Sequence, residues 1–491
     1  MSNNEKTLSG GNDGELKRLL KTRHITMIAM GGAIGTGLFI ATGGSLHTAG
    51  PGGAIAAYSL LGIMVFFLMQ SLGEMSTELP IAGSFETYAT KFVDPALGFA
   101  LGWNYWINWA ICVACELAAA PIVMHYWFPN TSSVLWSVIF AALLFGLNAL
   151  SAKGYGESEY WFAGIKVVTV IIFLVVGVLM LLGAVQGDPH PREYFTMEGA
   201  PFVGGILAFI NVAVIGAFSF QGTELVGVAA GETENPEKNI PKATNTIFIR
   251  IMLFNIGSVV MVALLIPYTD PNLLGGSLEN VAQGPYAMVF AKAGIPAAVF
   301  LMNLVLITAV LSAGNTGLYA SSRMLYGMAK SGKAPRIFAK TNKRGVPMAA
   351  LILTTVVGFA SFLSSLVGTG QIYLMLVNAS SLTGFIAWWG IAVCHWRFRK
   401  AYVAQGKDLR DLKFRAKWYP FGPIFAFLVC SAIIVLQGVS LFTEPKINWI
   451  NVFVTYIGIP MVLIFFFYYK IRYKTKVIPL EKCNFSPDTL E

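Results

Sequence analysis

Two long apolar stretches of this chain are interrupted by glycine where a membrane helix should run unbroken. They are Gly31-Gly32-Ala33-Ile34-Gly35-Thr36-Gly37 near the start and Gly216-Ala217-Phe218-Ser219-Phe220-Gln221-Gly222-Thr223-Glu224 past residue 200. A helix opened inside a bilayer exposes amide and carbonyl groups that lipid cannot satisfy. Such breaks persist only where the backbone lines a cavity and meets a ligand or an ion. The breaks are therefore expected to mark a binding site. Their recurrence at corresponding places in two halves of the chain is the sequence pointer to a carrier with discontinuous helices at the membrane midplane.

The rest of the chain suits the same environment. Hydrophobic residues make up 55% of the 491 and charged residues 12%, with a mean hydropathy of +0.64. A soluble domain carries about 25% charged residues, so the composition points instead to an all-α polytopic membrane protein. Crossing the hydrocarbon takes about 20 helical residues, and twelve apolar runs of that kind can be marked off, with no room for a soluble domain between them. The polar N-terminus lacks an apolar core followed by small residues, so no cleaved signal peptide is expected. The net charge of +9 would suit nucleic acid, but its distribution argues against that partner. Twelve spans with both ends cytoplasmic put nearly all of the 34 Lys and Arg inside. Arg192, Lys292 and Lys446 fall outside, and Lys166 is the one basic residue within a span. That asymmetry is a topology signal, with contact to anionic lipid a secondary use.

Five runs precede the one with the second break, five count from it onward and two remain. An odd repeat reverses its sense across the membrane. The expected fold is thus a five-plus-five inverted repeat with broken helices 1 and 6, plus two extra helices. The expected organisation is a cytoplasmic tail over 1–23, a transport core over 24–400, helices 11 and 12 over 401–473, and a cytoplasmic tail over 474–491. External segments are expected at 185–201 and 268–294, the latter with a short interfacial helix over 285–292. Cys112, Cys115, Cys394, Cys430 and Cys483 form no disulfide framework. Cys112 and Cys115 have redox-pair spacing but sit in an apolar helix, where they read as packing residues.

At the first break, Gly35, Thr36 and Gly37 let the backbone unwind and offer amides and a helix N-terminus to a carboxylate. The carbonyls before the break suit an ammonium group. Gly31 alone reads as a packing contact. At the second break Glu224 lies about 10 Å inside the bilayer, where a carboxylate must be protonated or face a cation. Glu232, nearer the cytoplasm, fits either a functional or an anchoring role. Lys166 lies at a similar depth and can load and unload a proton or form a permanent salt bridge. Glu116 suits a proton path, cation selection or a hydrogen bond between helices. Tyr105 and Trp109, four apart, share a helix face where aromatic rings can enclose an aliphatic chain or simply pack. His24, His47, His125 and His190 lie at run ends or in loops without an assigned role. Gly35-Thr36-Gly37 lacks the lysine and the strand of a phosphate loop. No nucleophile triad or metal cluster is evident, so neither an enzyme nor a metal or organic cofactor is expected.

These residues give the chain a family likeness. His24-Ile25-Thr26-Met27-Ile28-Ala29 running into Gly35-Thr36-Gly37-Leu38-Phe39 resembles the amino acid permeases of the amino acid-polyamine-organocation superfamily. So do Ala49-Gly50-Pro51-Gly52-Gly53, Ala230-Gly231-Glu232 with Pro236 and Ile240-Pro241, Ser312-Ala313-Gly314-Asn315, and Tyr319-Ala320-Ser321-Ser322-Arg323. The stretch from Phe218 to Leu225 is similar to the cationic-amino-acid branch. Gly102-Trp103-Asn104-Tyr105-Trp106 and Ile266-Pro267-Tyr268-Thr269-Asp270-Pro271 are similar to its lysine-specific members.

The resemblance implies a proton-coupled symporter importing L-lysine by alternating access across the bacterial inner membrane, with the proton as the coupling ion. It implies the substrate carboxylate on Gly35, Thr36 and Gly37, and its amino group on carbonyls near Ile34 and Phe218, beside Ser219. Phe218 would gate the pocket. Tyr105, Trp109 and Glu224 would hold the side chain, and Lys166 would stand where sodium-coupled relatives place an ion. Many relatives carry serine at Ala33, so that side-chain contribution is missing. Lys166, Glu224, Glu232 and Glu116 form the proton-coupling set, with Glu224 open to either substrate or proton. The alternatives are exchange or uptake of another cationic amino acid, arginine or ornithine, or its polyamine, and a lysine sensor acting on a membrane regulatory partner.

Overall fold

The computed structural model describes residues 20–31, 34–39, 41–81, 83–275, 284–363, 369–442 and 447–486. Over these residues the chain is helical, with a single isolated bridge between Leu20 and Thr233. Eight helices among the described residues are long and apolar enough to cross a membrane. A ninth follows if Trp449–Tyr456 and Gly458–Tyr473, bent by 49°, count as one. Twelve runs were expected, and each contains helix; the difference arises where runs are cut or joined. The first is divided into Thr22–Gly31, Thr36–Phe39 and the start of Ala41–Glu78, and the sixth into Gly205–Phe218 and Leu225–Val228. Met348–Gly358 is only 11 residues long. The chain is an all-α polytopic membrane protein.

Ala41–Glu78 joins two helices across a sharp corner at Gly50, whose φ of 72° lies in the left-handed region. A side chain there would meet the Pro201 carbonyl at 2.7 Å. The amide of Gly52 donates to that same carbonyl at 2.8 Å, and Val203 N donates to Ala49 O at 2.9 Å. The Ala49-Gly50-Pro51-Gly52-Gly53 motif is thus a corner that docks the segment leading into the second broken helix. Only glycine relieves both the torsion and the close approach.

Pro95–Met124 is the central post, packed against Ala298–Lys330 and Thr369–Ala404. Thr22–Gly31 lies on Ala152–Leu181, and Gly205–Phe218 on Ala41–Glu78. Ile165, Val168, Ile172 and Val175 are exposed at helical spacing, giving Ala152–Leu181 an apolar outer face for lipid. The Ser312-Ala313-Gly314-Asn315 motif is polar glue on Ala298–Lys330. Asn148 Nδ2 donates to Asn315 Oδ1 at 2.8 Å, and Asn315 Nδ2 to Ser158 Oγ at 3.1 Å.

Two expectations need correction. Pro285–Lys292 is a helix, but Tyr286, Val289 and Phe290 are buried, so it packs into the protein instead of lying along the interface. Tyr286 stacks on Phe173 with centroids 3.9 Å apart and donates to Ser258 Oγ at 2.7 Å. Lys166 is also not the one base within a span: Arg250 is fully buried on a helix running from Pro236 to Leu265. A basic residue at the margin of an apolar run looks the same in sequence whether it reaches the headgroups or turns into the bundle.

Candidate functional site

The first break separates Thr22–Gly31 from Thr36–Phe39; Gly32 and Ala33 lie outside the described residues. Ile34 N donates back to Gly31 O at 3.0 Å and Leu38 N to Gly35 O at 3.3 Å, so the chain makes two turns around the gap. The amides of Thr36 and Gly37, ahead of the Leu38 bond, open the first helical turn, where no earlier turn offers them an acceptor. The two glycines after Ile34 have different jobs. A Cβ on Gly37 would press Phe218 Cδ1 at 2.8 Å and Ser219 N at 3.3 Å, so glycine here lets the two breaks touch. A Cβ on Gly35 would make ordinary contact, 3.6 Å from Ala313 and 3.8 Å from Glu116 Oε1. Glycine at 35 keeps open a space that a side chain would fill.

That space is a cavity of about 20 Å³ lined by Gly35, Trp109, Cys112, Glu116, Phe218, Gln221 and Ala313. It has room for about one water molecule. An amino acid can enter only if the walls part. Cys112 and Glu116, one turn apart on Pro95–Met124, share the face that closes it.

Gly205–Phe218 ends at the second break and helix resumes at Leu225, with Gly222 at φ 87° between them. The freed backbone is taken up from neighbouring helices: Asn255 Nδ2 donates to Ser219 O at 2.8 Å. Gln221 Nε2 donates to Ser380 O at 2.9 Å. Glu224 is buried, and its donors are uncharged. Tyr105 OH donates to Oε1 and Trp388 Nε1 to Oε2, each at 3.2 Å, and Gly222 N lies 3.1 Å from Oε2. Trp109 packs edge-on to Tyr105, with centroids 6.1 Å apart at 72°. Buried Arg250 interacts with Glu224 at longer range, without an ion-pair contact.

Lys166 belongs to a different cluster. Its Nζ donates to Gly31 O at 2.6 Å and to Ser312 Oγ at 2.7 Å, and lies 3.9 Å from Glu159 Oε1. Ser312 Oγ donates in turn to Glu159 at 2.6 Å. Gly31 is both a packing contact, directly against Ala163, and the carbonyl that receives Lys166. One lysine therefore ties the Gly31 edge of the first break to two further helices. Glu232 forms a third cluster, receiving Arg323 Nε at 3.0 Å and Tyr319 OH at 3.2 Å. The Arg323 guanidinium lies over the Tyr319 ring, which stacks on Tyr155 at 3.9 Å. Leu20 N donates to Glu232 O and Glu234 N to Leu20 O, each at 3.1 Å, pinning the chain before the first helix to the end of the second broken one.

Residues 24–481 match the amino acid permease family, which is nearly the whole chain. The chain belongs to the amino acid permeases. It is 51% identical over 471 residues to the lysine-specific permease LysP of Escherichia coli (strain K12), covering 96% of each chain. It is 48% identical to the lysine-specific permease LysP of Lactococcus lactis subsp. cremoris (strain MG1363), covering 98% of this chain and 95% of that one. It is also 48% identical to the histidine permease HisP of the same organism, over 97% and 99%.

In this permease the residues singled out in sequence divide among five places. Gly35, Trp109, Glu116 and Phe218 line one cavity; Tyr105 and Glu224 meet beside it; Lys166 and Glu232 stand in clusters of their own. Ile34, Thr36, Gly37 and Ser219 form the backbone where the breaks touch. Sequence reasoning missed Trp388, Gln221, Arg323 and Glu159. Glu159 is fully buried. Its signal was its position seven residues before Lys166, two turns away on one face of an apolar helix.

Proposed function

We propose that this amino acid permease imports L-lysine together with protons across a bacterial inner membrane, by alternating access through twelve crossings with both ends cytoplasmic. The observation that carries the reading is Glu224: a buried carboxylate at the second helix break, oriented by neutral donors and left able to receive an ammonium group. The likeness to two lysine-specific permeases supports the substrate. The carboxylate of lysine would take the amides from Gly35 to Gly37, its amino group the carbonyls near Ile34 and Phe218, and its side chain the walls formed by Tyr105 and Trp109. Phe218 would act as the gate and Ser219 as part of its frame.

Lys166 serves as the proton-linked switch in this reading, because its charge holds Gly31 O and so the inner half of the first broken helix. Deprotonation would loosen that hold. Glu116 and Glu232 complete the proton-coupling set, Glu116 at the cavity and Glu232 at the inner closure. The coupling ion is the proton, with no metal or organic cofactor. A second reading, histidine as substrate, is favoured by the 48% identity to HisP, equal to that of one of the two lysine-specific permeases, and by the aromatic walls. A lysine sensor working through a membrane regulatory partner is a role of the same binding site.

The test is radiolabelled uptake by the purified chain in liposomes. Lysine accumulation that collapses with the proton gradient, and is outcompeted by lysine more strongly than by histidine, arginine or ornithine, supports lysine symport. Counterflow that persists without a gradient in preloaded vesicles would make it an exchanger. Cadaverine competing as well as lysine would remove the carboxylate site from the first break.

A further inference from the structure

Outside the transport path, a groove of about 660 Å³ runs between the joint of Ser133–Leu150 with Ala152–Leu181 and the chain at Lys343 and Arg344. Its wall holds Lys153, Lys343 and Arg344 with one acid, Glu157. That acid is already engaged: Arg23 Nη2 donates to Glu157 Oε1, and His24 Nε2 lies 3.2 Å from the same oxygen. Neither Lys153 nor Arg344 has an ion-pair partner among the described residues. The groove is thus positive with its only acid neutralised, and its size falls within the range of small-molecule sites, about 300–1,000 Å³.

The surroundings specify the kind of anion. Leu150, on the groove wall, is half exposed, and Trp161 is 68% exposed. Trp161 lies four residues beyond Glu157 and seven beyond Gly154, on the same helix face, about 10 Å further along toward the apolar stripe of Ile165, Val168, Ile172 and Val175. Positive charge at the helix ends, an indole one step deeper and an aliphatic face beyond match, in order, the headgroup, interface and acyl regions of one lipid leaflet. The chain from Lys330 to Arg344 holds six basic residues and no acid, which places this end on the side of the membrane rich in anionic lipid.

We propose that this groove binds the phosphate headgroup of an anionic phospholipid, with Lys153 and Arg344 on the phosphate and Trp161 and Leu150 against the upper acyl chain. The site adjoins the Arg23–Glu157 contact that fastens the inner half of the first broken helix, so an occupied groove buttresses that half-helix. This inference rests on the membrane architecture and not on the identity of the substrate.

The test is titration of the purified full-length chain in neutral micelles with fluorescent phosphatidylglycerol, with labelled phosphatidylcholine as the control. Wild-type protein is expected to bind phosphatidylglycerol preferentially. Lys153→Gln and Arg344→Gln should each weaken binding about fivefold, and the double variant about 25-fold. Trp161→Ala, which leaves every charge in place, should weaken phosphatidylglycerol binding as well. Inorganic phosphate should displace the lipid only poorly. Equal binding of both lipids, or a monodisperse double variant with wild-type affinity, overturns the proposal. Phosphate displacing as well as the lipid does, with Trp161→Ala unchanged, makes the groove a soluble-anion site and also overturns it. Lysine uptake is not the readout, so none of these outcomes depends on the substrate.

Discussion

Glu224 and Glu232 sit eight residues apart on one broken helix, both buried, yet the protein answers their charges in opposite ways. Glu232 meets a guanidinium: Arg323 lies at 3.0 Å, with the ring of Tyr319 beneath the same cation. Glu224 meets a phenol, an indole and a backbone amide, and forms no ion pair among the described residues. A buried carboxylate paired with arginine is already compensated, and removing either partner leaves the other exposed to an apolar interior. A carboxylate held by neutral donors keeps its orientation while its charge stays available. The first arrangement suits a closure that opens and shuts, the second a site that receives a cation. The difference lies in what the neighbouring helices present, not in the acids.

The largest expected effect comes from neutralising the open acid. Glu224→Gln should lower lysine affinity by about 3 to 5 kcal/mol, a hundredfold or more, because the incoming ammonium would lose its buried counter-charge. Equilibrium binding of radiolabelled lysine to protein of normal yield reads this out. Unchanged affinity would reduce Glu224 to a structural acid and erase the contrast.

Trp388→Phe comes next. It keeps the ring and deletes the donor to Oε2, so binding should weaken by about 1.5 to 3 kcal/mol, roughly ten- to hundredfold, the range for a hydrogen bond to a charged group. Tyr105→Phe in the same assay measures the other oxygen. An effect confined to folding yield would mean that the donors support packing alone.

Glu232→Gln should barely move affinity, by about 0.3 to 0.5 kcal/mol or some twofold, since it shares no partner with Glu224. Its effect should appear in access: a cysteine placed along the inner path should react faster with a membrane-impermeant thiol reagent applied from the cytoplasmic side. A loss of binding as large as that of Glu224→Gln would merge the two sites into one. The smallest effect on binding is expected from Lys166→Ala, which should bind lysine as the wild type does while losing accumulation against a gradient. Undiminished uphill uptake in liposomes would remove Lys166 from the coupling.

Much of this was legible along the chain. The glycines at both breaks, the acid at the second, the lone lysine in its apolar run and the aromatic pair Tyr105 and Trp109 all stand out because each violates what lipid tolerates. Their partners do not stand out. Trp388 is one aromatic residue among many in an apolar helix. Arg250 and Arg323 sit near run ends, where basic residues ordinarily mark the cytoplasmic margin, and only burial distinguishes them from topology signals. Glu159 is an acid near the margin of an apolar run, and only its place two turns from Lys166 sets it apart. The two glycines after Ile34 look alike in sequence, although Gly37 allows one helix to touch another and Gly35 preserves a cavity.

The sequence by itself determined the environment and the places where it is broken: apolar runs must become helices in a bilayer because no other open segment satisfies its own backbone, and an interrupted run must face something other than lipid. The family follows from the same motifs. Only the tertiary structure decided which acid meets a guanidinium and which meets neutral donors, and that Lys166 reaches back to Gly31. Those pairings join helices about ninety to 164 residues apart, and a side chain's charge is compensated by whatever packing brings within about 3 Å of it.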